Sequence, residues 1–398
     1  MLAKAAIKKL STYFDRYPKK YLWLAAVFVG TLARTVIARL GYNEDFNSWT
    51  FNAALLRDGG SVYSGDARYG YGPFWMFVLR FAALIQNLFP DNREVFRLVI
   101  ILVLTLADLV IAAIIARKFS HYVALLFFLN PISIIISGYH NQFDNIAILG
   151  ALVAVLYLDS EPAESKSRNL YLGLALIGLS LAIKQILLFF PVWLFFRNGT
   201  FKQRVIRGAM PYVVYIACFI PWATSIARIE IIFEELFLQR RGRPGVVRNL
   251  GSATNVIFDL SYGRTGFYLS YLIWVLGVLA FGWIMRNRSL FHSLITYLLL
   301  MVGLAPAYSQ QQLILPLIAL FVYATIELKV FYLSTLLFMI QNSDELGYEF
   351  LFPHFFRLNG TIYAWLQVLL LVFALRLVFP NPPQNLKSRH LHTALKLD

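Results

Sequence analysis

Residues 95–116 read VFRLVIILVLTLADLVIAAIIA, and this stretch decides the fold class of the chain. A helix needs roughly 20 apolar residues to cross the ~30 Å hydrocarbon layer of a bilayer, and this stretch supplies them. Residues 21–40 and 362–379 have the same character. Asp108, inside the stretch, predicts a buried carboxylate that pairs with a polar neighbour. The sequence therefore predicts an all-α polytopic membrane protein, with residues 1–398 forming a single membrane domain.

The composition supports the same class. Of the 398 residues, 59% are hydrophobic and 14% are charged, whereas a soluble domain carries roughly 25% charged residues. In a soluble protein the net charge of +15 would suggest a nucleic-acid partner. Here short cytoplasmic loops that orient membrane helices explain the basic residues better, so membrane lipids and no nucleic acid are the expected partners. Cys218 is the single cysteine, which excludes an intrachain disulfide and a cysteine metal cluster.

Charge also decides how the apolar stretch at residues 72–89 is interpreted. If this stretch crossed the membrane, Arg117 and Lys118 would lie outside. If it is an interfacial or re-entrant helix, the pair lies inside, as the preference for cytoplasmic Lys and Arg requires. We therefore expect a first external loop over residues 41–94 that contains interfacial helices.

With that assignment the remaining apolar stretches alternate, and the sequence predicts about twelve transmembrane helices with both termini in the cytoplasm. The short loops favour a cell membrane, with the endoplasmic reticulum membrane as the alternative. The spans are expected near residues 21–40, 95–116, 119–137, 143–158, 170–183, 185–197, 208–226, 266–285, 289–304, 312–326, 330–340 and 361–379.

Polar residues at the outer ends of these spans are the candidate functional residues, because membrane proteins keep buried polar groups where they serve a purpose. One arginine-rich external loop, residues 227–265, is not needed to orient the chain, which indicates an anionic ligand outside. The candidate residues are Asp45, Trp49, Tyr71, His140, Gln142, Asp144, Lys184, Gln185, Arg240, Arg241, Arg243 and Gln311.

Four short motifs in this set follow one another along the chain. Asp45, with aromatic neighbours, lies in the first external loop, and residues 71–73 (Tyr-Gly-Pro) end that loop. Residues 140–145 (His-Asn-Gln-Phe-Asp-Asn) open a later span, and residues 183–185 (Ile-Lys-Gln) join two short helices. In this order the chain resembles the GT-C superfamily of membrane glycosyltransferases. It is most similar to the dolichyl-phosphate-glucose-dependent glucosyltransferases and the related mannosyltransferases, although residues 71–73 keep only one proline of their Tyr/Pro-Pro element.

The resemblance implies a GT-C-like bundle and an inverting glycosyltransferase. It would transfer a hexose, mannose or glucose, from a polyprenyl- or dolichyl-phosphate-linked donor to a lipid-linked or surface glycan acceptor. Asp45 would take the proton of the acceptor hydroxyl as general base. Lys184 and arginines of the external loop would hold the donor phosphate. His140, Gln142 and Asp144 would bind sugar hydroxyls or the phosphate.

Several alternatives stay open. No Asp-X-Asp pair is visible in the first loop, so a metal-free reaction without cofactors is expected, with a divalent metal ion as the alternative. His140 and Asp144 can also be helix caps, and Lys184 can reach for the membrane interface. The alternative function from another class is a transporter or flippase for a lipid-linked or anionic solute; a lipid-linked polysaccharide polymerase or ligase is a third. The sequence shows no convincing internal repeat and its polar sites collect on one face, which favours chemistry at one membrane surface.

Overall fold

A computed structural model of the chain describes residues 19–63, 69–89, 92–159, 168–238, 263–306, 310–323, 325–341 and 361–379. Within these residues the regular structure is helical and contains no strand, so the all-α prediction is confirmed. The helices are α1 (Lys19–Arg39), α2 (Glu44–Arg57), α3 (Pro73–Gln86), α4 (Arg93–Lys118), α5 (His121–Phe128), α6 (Pro131–Ile135), α7 (Asp144–Asp159), α8 (Arg168–Ile183), α9 (Phe190–Phe196), α10 (Phe201–Ala217), α11 (Ile226–Phe233), α12 (Gly263–Ile284), α13 (Leu290–Gly303), α14 (Leu317–Tyr323), α15 (Ile326–Gln341) and α16 (Thr361–Val378).

Four helical stretches in the described residues are long and apolar enough to cross a membrane. The number rises to six if each of two bent helix pairs counts as one span. One pair joins α5 to Pro131–His140 with a bend of 40°, and the other joins α8 to Gln185–Phe196 with a bend of 118°. The count of twelve spans is not confirmed by these helices. The four stretches are Lys19–Arg39, Arg93–Lys118, Phe201–Trp222 and Tyr268–Asn287.

The apolar stretch at residues 72–89 forms α3, a helix of 14 residues. This length is below the roughly 20 residues that a crossing needs. One side of α3, with Trp75 and Leu79, is buried against α2 and α4, while Phe77 and Phe81 on the other side are exposed. A short helix with one exposed apolar face is the geometry expected of an interfacial helix.

Two predicted spans have different boundaries in the structure. The span expected at 119–137 is broken between α5 and α6, because the Asn130 side chain caps the new helix (Oδ1 to the Ile132 N–H, 2.7 Å) and Pro131 occupies its first turn. The span expected at 208–226 begins at Phe201 instead. Thr200 and Gln203 form a capping box there, which satisfies backbone donors at the helix start.

A buried ion pair joins the first helices. Arg34 of α1 donates to Oδ2 of Asp108 in α4 at 2.8 Å, and both side chains are fully buried. The Asp108 carboxylate also accepts hydrogen bonds from Ser133, Ser137 and Asn145, at 2.8–2.9 Å. The prediction that Asp108 pairs with a polar neighbour is thus confirmed, and the network ties α1, α4, α6 and α7 together.

Polar contacts collect at the two ends of α7. At its C-terminus, Asp159 accepts hydrogen bonds from the backbone N–H groups of Leu290 (3.1 Å) and Phe291 (3.3 Å), where α13 begins. At its N-terminus, Asp144 forms an ion pair with Lys184. The two ends of this 16-residue helix are about 24 Å apart. Segments predicted to be cytoplasmic therefore meet at the C-terminal end of α7, and segments predicted to be external meet at its N-terminal end.

Candidate functional site

Asn43 connects the first candidate residue to a distant part of the chain. The Asn43 Nδ2 group donates to Oδ2 of Asp45 at 2.9 Å and lies 2.9 Å from Nδ1 of His140. Asp45 stands in the first turn of α2, which begins directly after the turn that ends α1. His140 ends a π-helical turn, Ile136–His140, that continues α6. The Asn43 side-chain amide therefore connects the turn after α1 to the end of the π-helical turn after α6.

Lys184 supplies a positive charge beside this contact. Helix α8 ends at Ile183, and Lys184 adopts an extended conformation (φ −152°, ψ 137°) at the sharp bend that follows. Its ammonium group donates to Oδ2 of Asp144 at 2.5 Å and to Oε1 of Gln142 at 3.2 Å. Gln142 in turn forms a side-chain hydrogen bond with Asp45. Two carboxylates, an amide and one ammonium group therefore form a connected cluster.

Aromatic rings enclose the charged cluster on one side. Phe143 stacks on Trp75 with ring centroids 4.1 Å apart, and Trp49 packs edge-on against both rings at 5.7 Å. The Lys184 ammonium group lies 5.5 Å from the ring centre of Tyr71 and 5.0 Å from that of Phe143. These distances suit cation–π attraction, which is strongest where water is excluded.

Close backbone packing fixes the position of Tyr71. The next residue, Gly72, lies against the carbonyl of Ala182 near the end of α8, where a Cβ atom would come within 2.0 Å of the oxygen. The Tyr71 carbonyl accepts a hydrogen bond from the Tyr63 hydroxyl at 2.9 Å. The Arg228 guanidinium donates to the Tyr63 carbonyl at 2.8 Å. One arginine of the predicted external loop thus anchors the wall of the cluster.

Several buried polar atoms of the cluster have no hydrogen-bond partner among the described residues. They are Asn43 Oδ1, Trp49 Nε1, Trp75 Nε1, His140 Nε2 and Asp144 Oδ1. Buried polar groups in proteins are nearly always hydrogen-bonded, to protein or to ordered water. An ordered water molecule or a polar ligand would satisfy the unpaired donors and acceptors around this ion pair.

Burial controls the acidity of Asp45. Removal from water raises the pKa of its carboxyl above the ordinary value of 3.8, and the nearby charge of Asp144 acts in the same direction. Lys184 and the hydrogen bonds from Asn43 and Gln142 lower the pKa and so oppose this effect. The Asp45 carboxylate is consequently a stronger proton acceptor than an exposed aspartate, a property suited to a general base.

Comparison with protein-family models, with curated proteins and with solved structures gives no match. The interpretation of the site therefore depends on its own geometry and chemistry.

The structure brings most of the sequence-predicted residues together. Trp49 contributes a wall of the cluster and is 1% exposed, so it is part of the protein interior. Gln185 lies apart from the cluster and donates to the Tyr215 hydroxyl at 3.5 Å. Gln311 belongs to the 3₁₀ turn Gln310–Ile314, and its side chain lies outside the described residues. The cluster itself contains Asp45, Trp49, Tyr71, His140, Gln142, Asp144 and Lys184.

The arginine-rich loop can be followed only in part. Arg240, Arg241 and Arg243 lie outside the described residues. Within the described residues, no group of three or more His, Cys, Asp or Glu side chains has an arrangement that could hold a metal ion. Lys184 is a described cation next to Asp45, and the three arginines remain predicted phosphate ligands.

Sequence reasoning missed three members of the site. Asn43 stands two residues before Asp45, a spacing at which Asx side chains often bond locally, and this signal was available. Phe143 lies inside the motif at residues 140–145 but was assigned no role. Trp75 gave no sequence signal, because its stacking on Phe143 joins α3 to a distant residue just before α7.

Proposed function

We propose that this chain is an inverting glycosyltransferase of the outer membrane face, built on a GT-C-like bundle of about twelve transmembrane helices. The observation that carries the proposal is the buried cluster in which Asp45 and the Lys184–Asp144 ion pair share Gln142. A carboxyl with a raised pKa beside a fixed ammonium group combines a proton acceptor with a phosphate ligand. The apolar helices support a membrane location, and we place the protein in the cell membrane with both termini in the cytoplasm.

The donor is a polyprenyl- or dolichyl-phosphate-linked hexose, mannose or glucose, and the acceptor is a lipid-linked or surface glycan. Asp45 removes the proton of the acceptor hydroxyl as its oxygen forms the new bond to the anomeric carbon. The bond from that carbon to the phosphate oxygen breaks on the opposite face, and the lipid phosphate leaves with the electron pair. A single displacement of this kind inverts the anomeric configuration, and Asp45 is left protonated.

The positive charge of Lys184 stabilises the departing phosphate, with Arg240, Arg241 and Arg243 as additional ligands from the external loop. His140 offers a ring nitrogen that is unpaired within the described residues, and this nitrogen and the Gln142 amide bind sugar hydroxyls. Trp49 and Tyr71 form the aromatic wall of the cluster, and Gln185 and Gln311 remain predicted substrate-binding residues. The reaction as proposed needs no metal ion, and loss of activity in EDTA with recovery in Mg²⁺ would contradict that part.

An in vitro transfer assay with the full chain in proteoliposomes tests the proposal. Wild-type protein should transfer labelled hexose from polyprenyl-phosphate mannose or glucose to a glycolipid acceptor. Asp45→Asn should lower the rate by about 10²-fold to 10⁴-fold, the usual contribution of general base catalysis. Asp58→Asn is the matched control, because Asp58 is an exposed acid of the same loop that pairs with Arg57 at 3.2 Å. Full activity in Asp45→Asn would remove this residue from the mechanism.

One observation favours a second candidate, a transporter or flippase. The Arg34–Asp108 pair is buried inside predicted spans, where transporters often carry ionisable residues. However, Oδ2 of Asp108 already accepts three hydrogen bonds and Oδ1 accepts one from Asn145, which leaves little capacity for a solute. Movement of a labelled lipid across vesicles without any glycosylated product would favour this candidate over the transferase.

A further inference from the structure

Arg97, near the start of α4, is a buried cation that the transfer chemistry does not use. It is 2% exposed, and no carboxylate among the described residues forms an ion pair with it. Its charge is instead met by oxygen dipoles and by the rings of Phe46 and Tyr42, at 5.0 Å and 5.7 Å. Burial of an arginine costs free energy unless its N–H donors are hydrogen-bonded. The oxygen atoms around Arg97 must therefore satisfy these donors.

All five of its oxygen partners belong to the ends of two helices. At the end of α1, the guanidinium donates to the carbonyls of Ala38 and, at 2.6 Å, of Gly41. At the end of the π-helical turn it donates to the carbonyls of Gly138 (3.3 Å) and Tyr139 (3.2 Å). The last carbonyls of a helix have no partner within that helix and carry partial negative charge, so one cation is stabilised by two helix C-termini at once.

Asn141 completes this arrangement. It follows the π-helical turn in a left-handed conformation (φ 53°), which is typical of a residue just beyond a helix end. Its Oδ1 accepts from Arg97 Nε at 3.1 Å, and its Nδ2 donates to the carbonyls of Ser137 (3.0 Å) and Gly138 (3.1 Å). The direction in which the chain leaves His140 is therefore set through Arg97.

We propose that Arg97 is the positioning residue of the candidate site, holding the C-termini of α1 and the π-helical turn in register so that Asn43 bridges Asp45 and His140. The role of the bridge in catalysis rests on the proposed transferase function, whereas the register of the two helix ends does not. Arginine is required because its planar fork reaches five acceptors, whereas an ammonium group has three donors on one atom. Arg97→Lys keeps the charge and loses the fork.

Hydrogen exchange of the full chain in lipid nanodiscs tests the register. The amide of Phe46 donates to the Asn43 carbonyl at 3.0 Å, and the amide of Gln142 donates to the Ile136 carbonyl at 3.2 Å. In Arg97→Lys these two amides should exchange at least about tenfold faster, the effect of losing ~1.4 kcal/mol of protection. Arg207→Lys is the matched control, since Arg207 is another buried arginine that donates to a backbone carbonyl, that of Asn198 at 2.7 Å, outside the two helix ends. It should leave both amides unchanged.

The titration of Asp45 separates a positioning role from a merely structural one. The infrared C=O stretching band of the protonated Asp45 carboxyl is identified by its loss in Asp45→Asn. In Arg97→Lys this band should titrate at higher pH, because the Asn43 hydrogen bond is lost while the charge at position 97 is kept. If Arg97→Lys does not fold, Asn141→Gly tolerates the positive φ. It removes the Arg97 Nε contact together with the two Nδ2 contacts of Asn141, and should give smaller changes of the same sign.

The outcomes distinguish the two proposals. Unchanged exchange, or faster exchange with an unchanged Asp45 titration, would overturn the positioning role of Arg97. Equal effects in Arg207→Lys would overturn it as well. If both readouts change as expected but wild-type protein transfers no hexose, the positioning role stands and the transferase function fails.

Discussion

The Lys184 ammonium group lies 2.5 Å from Oδ2 of Asp144, although the two residues are 40 positions apart in the chain. Asp144 is fully buried and the Lys184 side chain is 11% exposed. A buried ion pair contributes little net stability, but removal of one partner leaves the other as an uncompensated charge. This asymmetry makes the pair sensitive to single substitutions.

Lys184→Met should therefore lower the free energy of unfolding by about 3–5 kcal/mol, because the buried Asp144 carboxylate loses its counter-charge. The double variant Lys184→Met/Asp144→Asn should recover part of that loss, since the remaining charge is removed. Chemical unfolding in detergent micelles measures both values. Asp58→Asn, which breaks an exposed pair, is the control and should have little effect. A Lys184→Met protein as stable as wild type would mean that the pair does not form.

The acid limb of the proposed transferase activity should follow the ionisation of Asp45. Its carboxyl must be ionised to accept a proton, so kcat/KM should fall as the pH is lowered through a pKa above 3.8. In Asn43→Ala the carboxylate loses a hydrogen bond at 2.9 Å, which stabilises the ionised form. The limb should consequently move to higher pH in this variant. A pH–rate profile that is identical in both proteins would exclude Asp45 as the group that titrates.

Near neutral pH, replacement of the Asp45 carboxylate should raise the free energy of unfolding and lower the activity. A raised pKa in the folded state means that the folded protein binds a proton more tightly than the unfolded chain. The stability gained from this proton is present at low pH and is lost as the pH rises through the raised pKa. Near neutral pH, Asp45→Asn should therefore be more stable than wild type while its activity is lost. Thermal unfolding at a series of pH values measures this, and a variant less stable than wild type would contradict it.

Part of the site could be predicted from the sequence because its members lie at helix ends. Charge placement alone grouped Asp45, His140, Asp144 and Lys184 on one face, and the structure joins all four through Asn43 and Gln142. The short helices on either side of Lys184 were also predicted, although both were counted as spans and neither reaches the length of a crossing. Helix ends leave local signals such as polar junctions, capping residues and prolines.

The remaining features depend on contacts between distant segments. Arg34 and Asp108 are 74 positions apart, and Arg97 reaches carbonyls 41 to 59 positions away. Every residue has the same backbone carbonyl group, so nothing in the sequence indicates which carbonyls an arginine will bind. The break at Asn130 and Pro131 and the capping box at Thr200 had local signals, and the predicted spans at 119–137 and 208–226 ignored them.

Gly72→Ala should be destabilising by about 1–3 kcal/mol or more, because its Cβ would come within 2.0 Å of the Ala182 carbonyl oxygen, a backbone atom that cannot turn away. Gly72 has an ordinary φ of −73°, so conformational strain does not contribute. The control is Gly303→Ala, whose new methyl group would meet only side-chain atoms, those of Leu370 and Leu371, at 3.3–3.4 Å. Unfolding of both variants in micelles makes the comparison, and equal stabilities would show that α3 and α8 do not pack this closely.

The Arg34–Asp108 pair allows a test of the first helices that does not involve the candidate site. Asp108→Asn should lower the free energy of unfolding by about 3–5 kcal/mol, because the fully buried Arg34 guanidinium keeps its charge without a carboxylate. In Arg34→Met/Asp108→Asn the cation is gone, so the double variant should be more stable than the sum of the single effects predicts, by about 0.5–3 kcal/mol. Strictly additive effects would mean that the two side chains do not interact. The coupling should also be insensitive to salt, since ions in the solvent do not screen a pair with 0% exposure of either side chain.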